Sequence, residues 1–270
     1  MQRYRATAVS GEAADRNLVT HMTWVQSRLP GGHVEIGGEL VLSDSGLECD
    51  TFNFACRARI RGALTPVIAR AVEHFVSARR PFSWWLGPGD QPPGLGQALR
   101  DSGFAAAESE VAMTADLRRL DGGAPVPDGL RIVRASTAEQ IDHFARVSAA
   151  NWDPPDRHVV EFYRRAAALL LRPDAPIRLY VGYVGGDPVA TAELTVSEEE
   201  VGLYGIATLA AHRRRGYGSA MTLQPLLEAR AEGHTLAVLQ ASADGQGIYG
   251  RLGFEPSGEY TEYKLPALST

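Results

Sequence analysis

The sequence predicts a mixed α/β fold built in two halves, a central sheet carrying helices on its faces. Three observations lead there. From residue 130 onward, strand-like and helix-like segments alternate. A break at Asp121–Asp128, DGGAPVPD, opposes both helix and strand and reads as a linker. The first half closes LGQALRDSGF before a strand and the second closes IYGRLGF before a strand, which suggests two copies of one fold, the first degraded. The expected domains are 1–120 and 129–270.

In the second half, Leu130–Ala135 (LRIVRA) is a strand. Ser136 and Thr137 can cap a helix with Glu139 in its first turn, ending near Ala150. A second helix is expected from Arg157 to Leu171. Ile177–Val184 is a strand, Gly185–Asp187 a hairpin turn, and Pro188–Val196 and Val201–Ala207 the next two strands. A helix from about Gly218 to Ala231 closes at Gly233. Leu236–Ala241 (LAVLQA) is an apolar strand, Gln246–Leu252 a short helix and Thr261–Leu265 a last strand. In the first half, Glu12–Leu29 and Pro66–Arg79 look helical. Leu40–Leu42, Thr51–Arg57 and Phe82–Leu86 look extended, Leu95–Ser102 is a short helix and Glu108–Leu117 a strand.

Composition excludes several classes. The chain has 270 residues, 44% hydrophobic and 22% charged, as soluble globular proteins do. A net charge of −5 argues against general nucleic-acid binding, although Arg213, Arg214 and Arg215 form a local basic run. Lys264 is the only lysine. Cys49 and Cys56 are read as free, inert thiols of a reducing cytoplasm, since two thiols make no disulfide scaffold. The seven histidines show no metal-ligand spacing such as HExxH, so no metal is expected. The N-terminus has no apolar h-region, and no run reaches the ~18 apolar residues of a membrane span. A cytoplasmic location and no membrane partner are expected.

The chemistry lies in VGLYGIATLAAHRRRGYGSAM, residues 201–221. A strand leads through a loop into a helix, and the loop holds Arg-x-x-Gly-x-Gly at Arg213, Gly216 and Gly218. A helix N-terminus presents N–H groups outside the ladder and the positive end of the dipole, so it attracts phosphate. Glycine lets the backbone approach an anion and adopt positive φ. Arg214 and Arg215 can add charge-assisted contacts. By itself the motif is also a plain turn before a helix. It is neither the GK[ST] phosphate loop nor the dinucleotide GxGxxG. A second signal follows one strand and one loop later: Tyr249, Leu252, Gly253 and Phe254 in IYGRLGF.

Together these motifs resemble the GNAT superfamily of acyl-CoA N-acyltransferases over residues 130–265. The resemblance implies a cofactor gap between splayed strands 201–207 and 236–241. Acetyl-CoA would lie there as co-substrate, its pantetheine against backbone at Ile206, Ala207 and Thr208. Its diphosphate would sit on the amides of residues 213–219, Arg213 through Gly216, Tyr217, Gly218 and Ser219. Gly205 fits a bulge that opens the gap. Two departures stand out. Ser242 occupies a cofactor-contacting position where many members carry Asn, and Pro225 falls inside the helix after the loop, where it should kink it near Met221–Leu223.

The implied reaction is acetyl transfer to a primary amine of a small molecule or peptide by direct attack in a ternary complex. The alternative is a non-catalytic acyl-CoA-binding or sensing module. An alkyl amine has a pKa near ~10.4 and must lose a proton before it attacks. Glu193 is the candidate base, a role set against that of an outward-facing solvated glutamate. Tyr249 is the candidate acid for the leaving thiolate, as the family uses a tyrosine there. A backbone N–H near Thr208 would hold the oxyanion. Trp152, Asp153 and Tyr163, with Trp84 and Trp85 of the first half, are candidate acceptor contacts; the plainer reading of each aromatic is core packing. The chain is expected to act as a monomer or homodimer.

Overall fold

The computed structural model describes residues 2–122 and 126–266, with side chains from residue 11 onward. The chain packs as two compact units, Met1–Ala112 with Ser257–Thr270, and Met113–Pro256. The last strand, which the sequence groups with the second half, is therefore part of the first unit. Residues 123–125 of the expected linker lie outside the described residues.

The elements run α1 (Gln2–Thr23), β1 (His33–Ile36), β2 (Val41–Asp44), β3 (Phe54–Cys56), α2 (Leu64–Ser77), β4 (Ser83–Leu86), α3 (Leu95–Asp101), β5 (Ala105–Asp116), β6 (Leu130–Arg134), α4 (Ala138–Ala149), α5 (Arg157–Leu170), β7 (Ile177–Val184), β8 (Asp187–Val196), β9 (Glu200–Thr208), α6 (Tyr217–Ala231), β10 (Leu236–Ala241), α7 (Gln246–Arg251) and β11 (Glu255–Lys264). The sequence pattern does not show β1, whose HVEI is half-exposed and lacks strict alternation. The expected strand Thr51–Arg57 begins instead in a single 3-10 turn, Asp50–Phe52, and only Phe54–Cys56 is strand. β11 starts six residues earlier than the Thr261 expected.

In the first unit the strands lie in the order β1-β2-β3-β4-β11, with β3 and β4 parallel. Its core gathers Trp84, Phe75, Phe82, Phe104, Ile68, Leu95 and Leu99. Phe75 stacks on Phe82 with ring centroids 4.2 Å apart. Such rings contribute roughly 1.5–3 kcal/mol each when fully buried. Trp84 is fully buried here, so it is a core residue and not an acceptor contact.

In the second unit the order is β10-β9-β8-β7-β6, antiparallel except for the parallel pair β9–β10. Gly185 and Gly186, at φ 62° and 101°, turn β7 into β8. Thr137 caps α4, its Oγ1 accepting from the Gln140 amide at 3.2 Å. Asp156 caps α5 by accepting from the His158 amide at 2.7 Å.

The helices divide between the faces of this sheet. α6 covers the face of Tyr180, Gly182 and Ala190. Tyr180 Oη donates to Glu228 at 2.6 Å, and a Cβ on Gly182 would come within 2.9 Å of Met221 Sδ. α4 and α5 cover the opposite face, where Phe144 packs edge-on to Tyr163 at 4.9 Å. α6 continues through the buried Pro225 to Ala231. That proline removes a donor to the Met221 carbonyl without ending the helix, and it lies two turns from the helix start.

Candidate active site

The parallel ladder between β9 and β10 pairs Glu200–Leu203 with Leu236–Leu239 and stops. Both strands continue, β9 to Thr208 and β10 to Ala241. Two adjacent strands that run on without pairing leave a wedge with backbone groups on its walls. The cause is on the other edge of β9. Its register against β8 shifts between Thr191 and Glu193, so Gly205 and Ile206 together face Ala192. Gly205 takes φ 54°, a bulge conformation that costs glycine little. Thr191 Oγ1 donates to the Gly205 carbonyl at 2.8 Å and holds the bulge.

The loop beyond β9 folds into the start of α6. Arg214 and Gly216 both adopt left-handed backbone, at φ 60° and 81°. The first intrahelical bond is Ala220 N–H to the Gly216 carbonyl at 3.1 Å. The amides of Tyr217, Gly218 and Ser219 therefore lie ahead of the ladder, at the positive end of the helix. Tyr217 is buried and near-parallel to His212, ring centroids 6.4 Å apart, which fixes this end of the helix. A Cβ on Gly218 would meet only Ile248 Cδ1, at 4.0 Å, so the space beside it is open.

The three arginines are exposed. Arg213 Nε donates to the Thr208 carbonyl at 3.0 Å, and Arg215 Nη2 to the Ala211 carbonyl at 3.3 Å. Arg213 thus braces the loop, and one acceptor expected for pantetheine, the Thr208 carbonyl, is engaged by it. Ile206 and Thr208 are half-buried, whereas Ala207 is buried.

Tyr249 is half-buried on α7, which follows β10. A Cβ on Gly245 would come within 2.8 Å of Tyr249 Cε2, so glycine is what admits the ring there. The ring stands edge-on to Phe254 at 6.0 Å. Ser242 is exposed, and its carbonyl accepts from the Gly245 and Gln246 amides at 2.9 and 3.2 Å, starting α7.

Glu193 is 2% exposed, so it is not the outward-facing, solvated glutamate weighed against the base role. It stands opposite Tyr204 of β9, next to the bulge, and a Cβ on Gly205 would be 3.9 Å from its own. Tyr163 Oη donates to it at 3.3 Å and Thr195 Oγ1 at 3.1 Å. Burial and the Glu193 carboxylate hold the Tyr163 phenol well above its ordinary range, so Tyr163 stays a hydrogen-bond donor. Trp152 is 46% exposed and Asp153 is also exposed, in the segment between α4 and α5. Two buried polar groups went unnoticed in the sequence, Ser148 Oγ on α4 and Gln240 Nε2 on β10. Each interrupts an apolar run, which is the signal that marks them.

The first unit repeats the order strand, helix, parallel strand, short helix, strand as β3-α2-β4-α3-β5. Its counterpart of the wedge is shut. Past β3 the chain turns at Arg57 (φ 51°) and pairs again, with Ile60 N–H donating to the Gln91 carbonyl and Gln91 N–H to the Ala58 carbonyl, both at 3.0 Å. Arg59 is held there by Asp15 at 2.9 Å and Asp90 at 3.2 Å.

Residues 133–257 match the family model described as an acetyltransferase (GNAT) domain. Residues 133–257 form a GNAT acetyltransferase domain. Its wedge, glycine loop and α7 tyrosine belong to that domain. No curated protein matches the chain significantly. Among solved structures, a GCN5-related N-acetyltransferase from Kribbella flavida is 22% identical, covering 94% of this chain and 96% of its own at TM-score 0.70. A tandem GNAT protein from the clavulanic acid biosynthesis pathway is 16% identical, with 87% and 83% covered at TM-score 0.59. A GCN5-related N-acetyltransferase from Sphaerobacter thermophilus is 14% identical, with 87% and 84% covered at TM-score 0.58. The likeness in fold to a tandem GNAT protein spans both units. Among the described residues, no helix is long and apolar enough to cross a membrane, and no group of three His, Cys, Asp or Glu is arranged to hold a metal.

Proposed function

We propose that the GNAT domain transfers the acetyl group of acetyl-CoA to the primary amine of a small molecule or peptide, by direct attack in a ternary complex. The observation that carries this is the wedge between β9 and β10, ending at the glycine-opened start of α6. The residues fit the co-substrate. The diphosphate has the Tyr217, Gly218 and Ser219 amides and open space beside Gly218. Pantetheine has the backbone of Ile206 and its neighbours along the open edge of β9.

Glu193 takes the proton of the ammonium, directly or through a water, and Tyr163 and Thr195 orient its carboxylate. The free amine forms the new C–N bond at the thioester carbon. A backbone N–H at the splayed strand holds the oxyanion as it develops. The C–S bond then breaks as the Tyr249 hydroxyl gives its proton to the departing sulfur, and the second proton of the acylated nitrogen passes through water to restore that hydroxyl, leaving amide and free CoA. Holding both reactants in line can supply roughly 7–11 kcal/mol. The chain acts in the cytoplasm as a monomer or homodimer, without metal, membrane or nucleic acid.

Release of free CoA from acetyl-CoA over an amine panel tests this reading. Turnover that falls in Tyr249→Phe with CoA affinity kept supports it. CoA binding without turnover of any amine would leave only an acyl-CoA-binding module. No affinity for CoA at millimolar ligand would refute both.

A further inference from the structure

The acceptor side of the wedge carries two polar groups that the protein itself leaves unsatisfied. Ser148 is 8% exposed, and its Oγ is buried without a hydrogen-bond partner. Gln240 Nε2 is buried and likewise without one. A buried polar group without a partner is costly to the folded protein, and a ligand atom that satisfies it recovers that cost.

Both belong to the face of the sheet that carries Glu193. Leu239 pairs with Leu203, and Leu203 with Leu194, so these three share one face. Leu194 lies two and four residues from Ala192 and Ala190 on β8, and Ala190 pairs with Gly182, which meets Met221 of α6. That is the α6 face. Gln240 follows Leu239 and alternates to the other face, with Glu193 and Tyr204. It is also the first β10 residue beyond the ladder, where the wedge begins. Ser148 lies one helical turn beyond Phe144, whose Cζ is 3.4 Å from the place of a Gly205 Cβ. Ser148 therefore continues the stripe of α4 that reaches the bulge.

Resting on the transferase reading, we propose that the amine acceptor carries a second function, a neutral oxygen, received by Gln240 Nε2 and Ser148 Oγ. The chemistry selects it. The amide N–H of Gln240 asks for an acceptor atom, and a serine hydroxyl gives or takes a hydrogen bond. Glu193 on the same face attracts the cationic amine and repels a carboxylate. A hydroxyl or carboxamide oxygen meets all three groups, whereas a plain alkylamine leaves two of them unsatisfied.

The test uses the full-length protein saturated with CoA and matched amine pairs in calorimetry: ethanolamine or glycinamide against propylamine, and glucosamine against cyclohexylamine. The expected result is about tenfold or tighter binding of an oxygen-bearing member over its partner. The hydroxyl and amide arms separate the two oxygen sources. Gln240→Leu and Ser148→Ala should each shrink that preference severalfold while CoA affinity and melting temperature hold. Equal binding within every pair, an unchanged preference in both variants, or no binding of any oxygen-bearing amine overturns the inference. Failure of the transferase reading shows separately, as absent CoA release from a protein that still binds these amines selectively. Equal turnover of both members of each pair keeps the transferase and removes the selectivity.

Discussion

Gly216 and Gly218, two residues apart, allow the phosphate cradle to be tested against simple misfolding. Gly216 sits at φ 81°, and a Cβ there would come within 3.2 Å of Pro127 Cγ. An L-residue in left-handed backbone costs roughly 1–2 kcal/mol. Gly216→Ala should lower unfolding free energy by about that amount. If the loop escapes the strain by shifting, CoA affinity drops roughly 5- to 30-fold, at tenfold per ~1.4 kcal/mol. Gly218 differs. Its φ is not positive, and its nearest neighbour to a new Cβ is 4.0 Å away. In a helix, alanine for glycine is worth roughly 0.5–1 kcal/mol. Gly218→Ala should therefore hold or raise stability and still weaken CoA roughly tenfold or more, because the methyl stands where the diphosphate approaches. Calorimetry with CoA and thermal unfolding of both variants give the four numbers needed. A stable Gly218→Ala protein that binds CoA as tightly as wild type refutes the placement of the anion at this helix start.

Four further outcomes follow from the same geometry. Glu193→Gln keeps an acceptor oxygen for only one of Tyr163 and Thr195, which donate to different carboxylate oxygens, so stability should fall by about 1 kcal/mol while kcat/KM falls about 100-fold or more; a wild-type pH–rate profile in that variant would remove Glu193 as base. CoA should bind with one site per chain, since the first unit's wedge is laced shut at Ile60 and Gln91, and a calorimetric stoichiometry of two would contradict this. Burial and the neighbouring Glu108 and Glu262 push Glu110 up to about 7; a carboxyl raised in the folded state binds more protons there than unfolded, so its contribution worsens as pH rises from about 4.5 to about 7. Denaturant midpoints of Glu110→Gln should match wild type below that window and exceed it above pH 7. Cys49 and Cys56 are both buried, and burial pushes the Cys56 thiol far up, so a thiol reagent should titrate neither until the protein unfolds.

The second unit was legible because its signals are local. β7, β10 and α5 follow from apolar runs bounded by Gly, Pro and Asp, and Thr137 caps α4 as its position before Glu139 implies. The Gly205 bulge was legible because few other residues take φ 54° readily. What could not be read is what depends on tertiary packing. Whether Glu193 faces water or the interior turns on which face α5 covers, and strand alternation alone is silent on that. Placing β11 with the first unit is a long-range choice among sheet edges that no local pattern encodes. Ser148 and Gln240 belong to no motif, and only their burial shows that Ser148 Oγ and Gln240 Nε2 lack a hydrogen-bond partner.

The two units show that the fold permits a cofactor wedge without creating one. Each has a parallel strand pair joined by a helix, and in each the strands run out of ladder after three or four residues. In the second unit a glycine bulge opens β9, and Gly216 stands just ahead of α6 with Gly218 in its first turn, so backbone donors stay available. In the first, FACRARIRGAL places an arginine at the positive-φ turn and no Gly-x-Gly ahead of α2. The chain there pairs again across the wedge, and Arg59 settles between Asp15 and Asp90. An unfilled wedge leaves backbone groups exposed to poor solvation, so a unit without an anion loop gains by closing it. Restoring glycines alone should not reopen the first unit, because the Ile60–Gln91 bonds and the Arg59 ion pairs must also be broken. Glycine loops inserted at Arg59–Gly62 that nonetheless conferred CoA binding would show that the anion site, and not the re-pairing, decides which unit binds CoA.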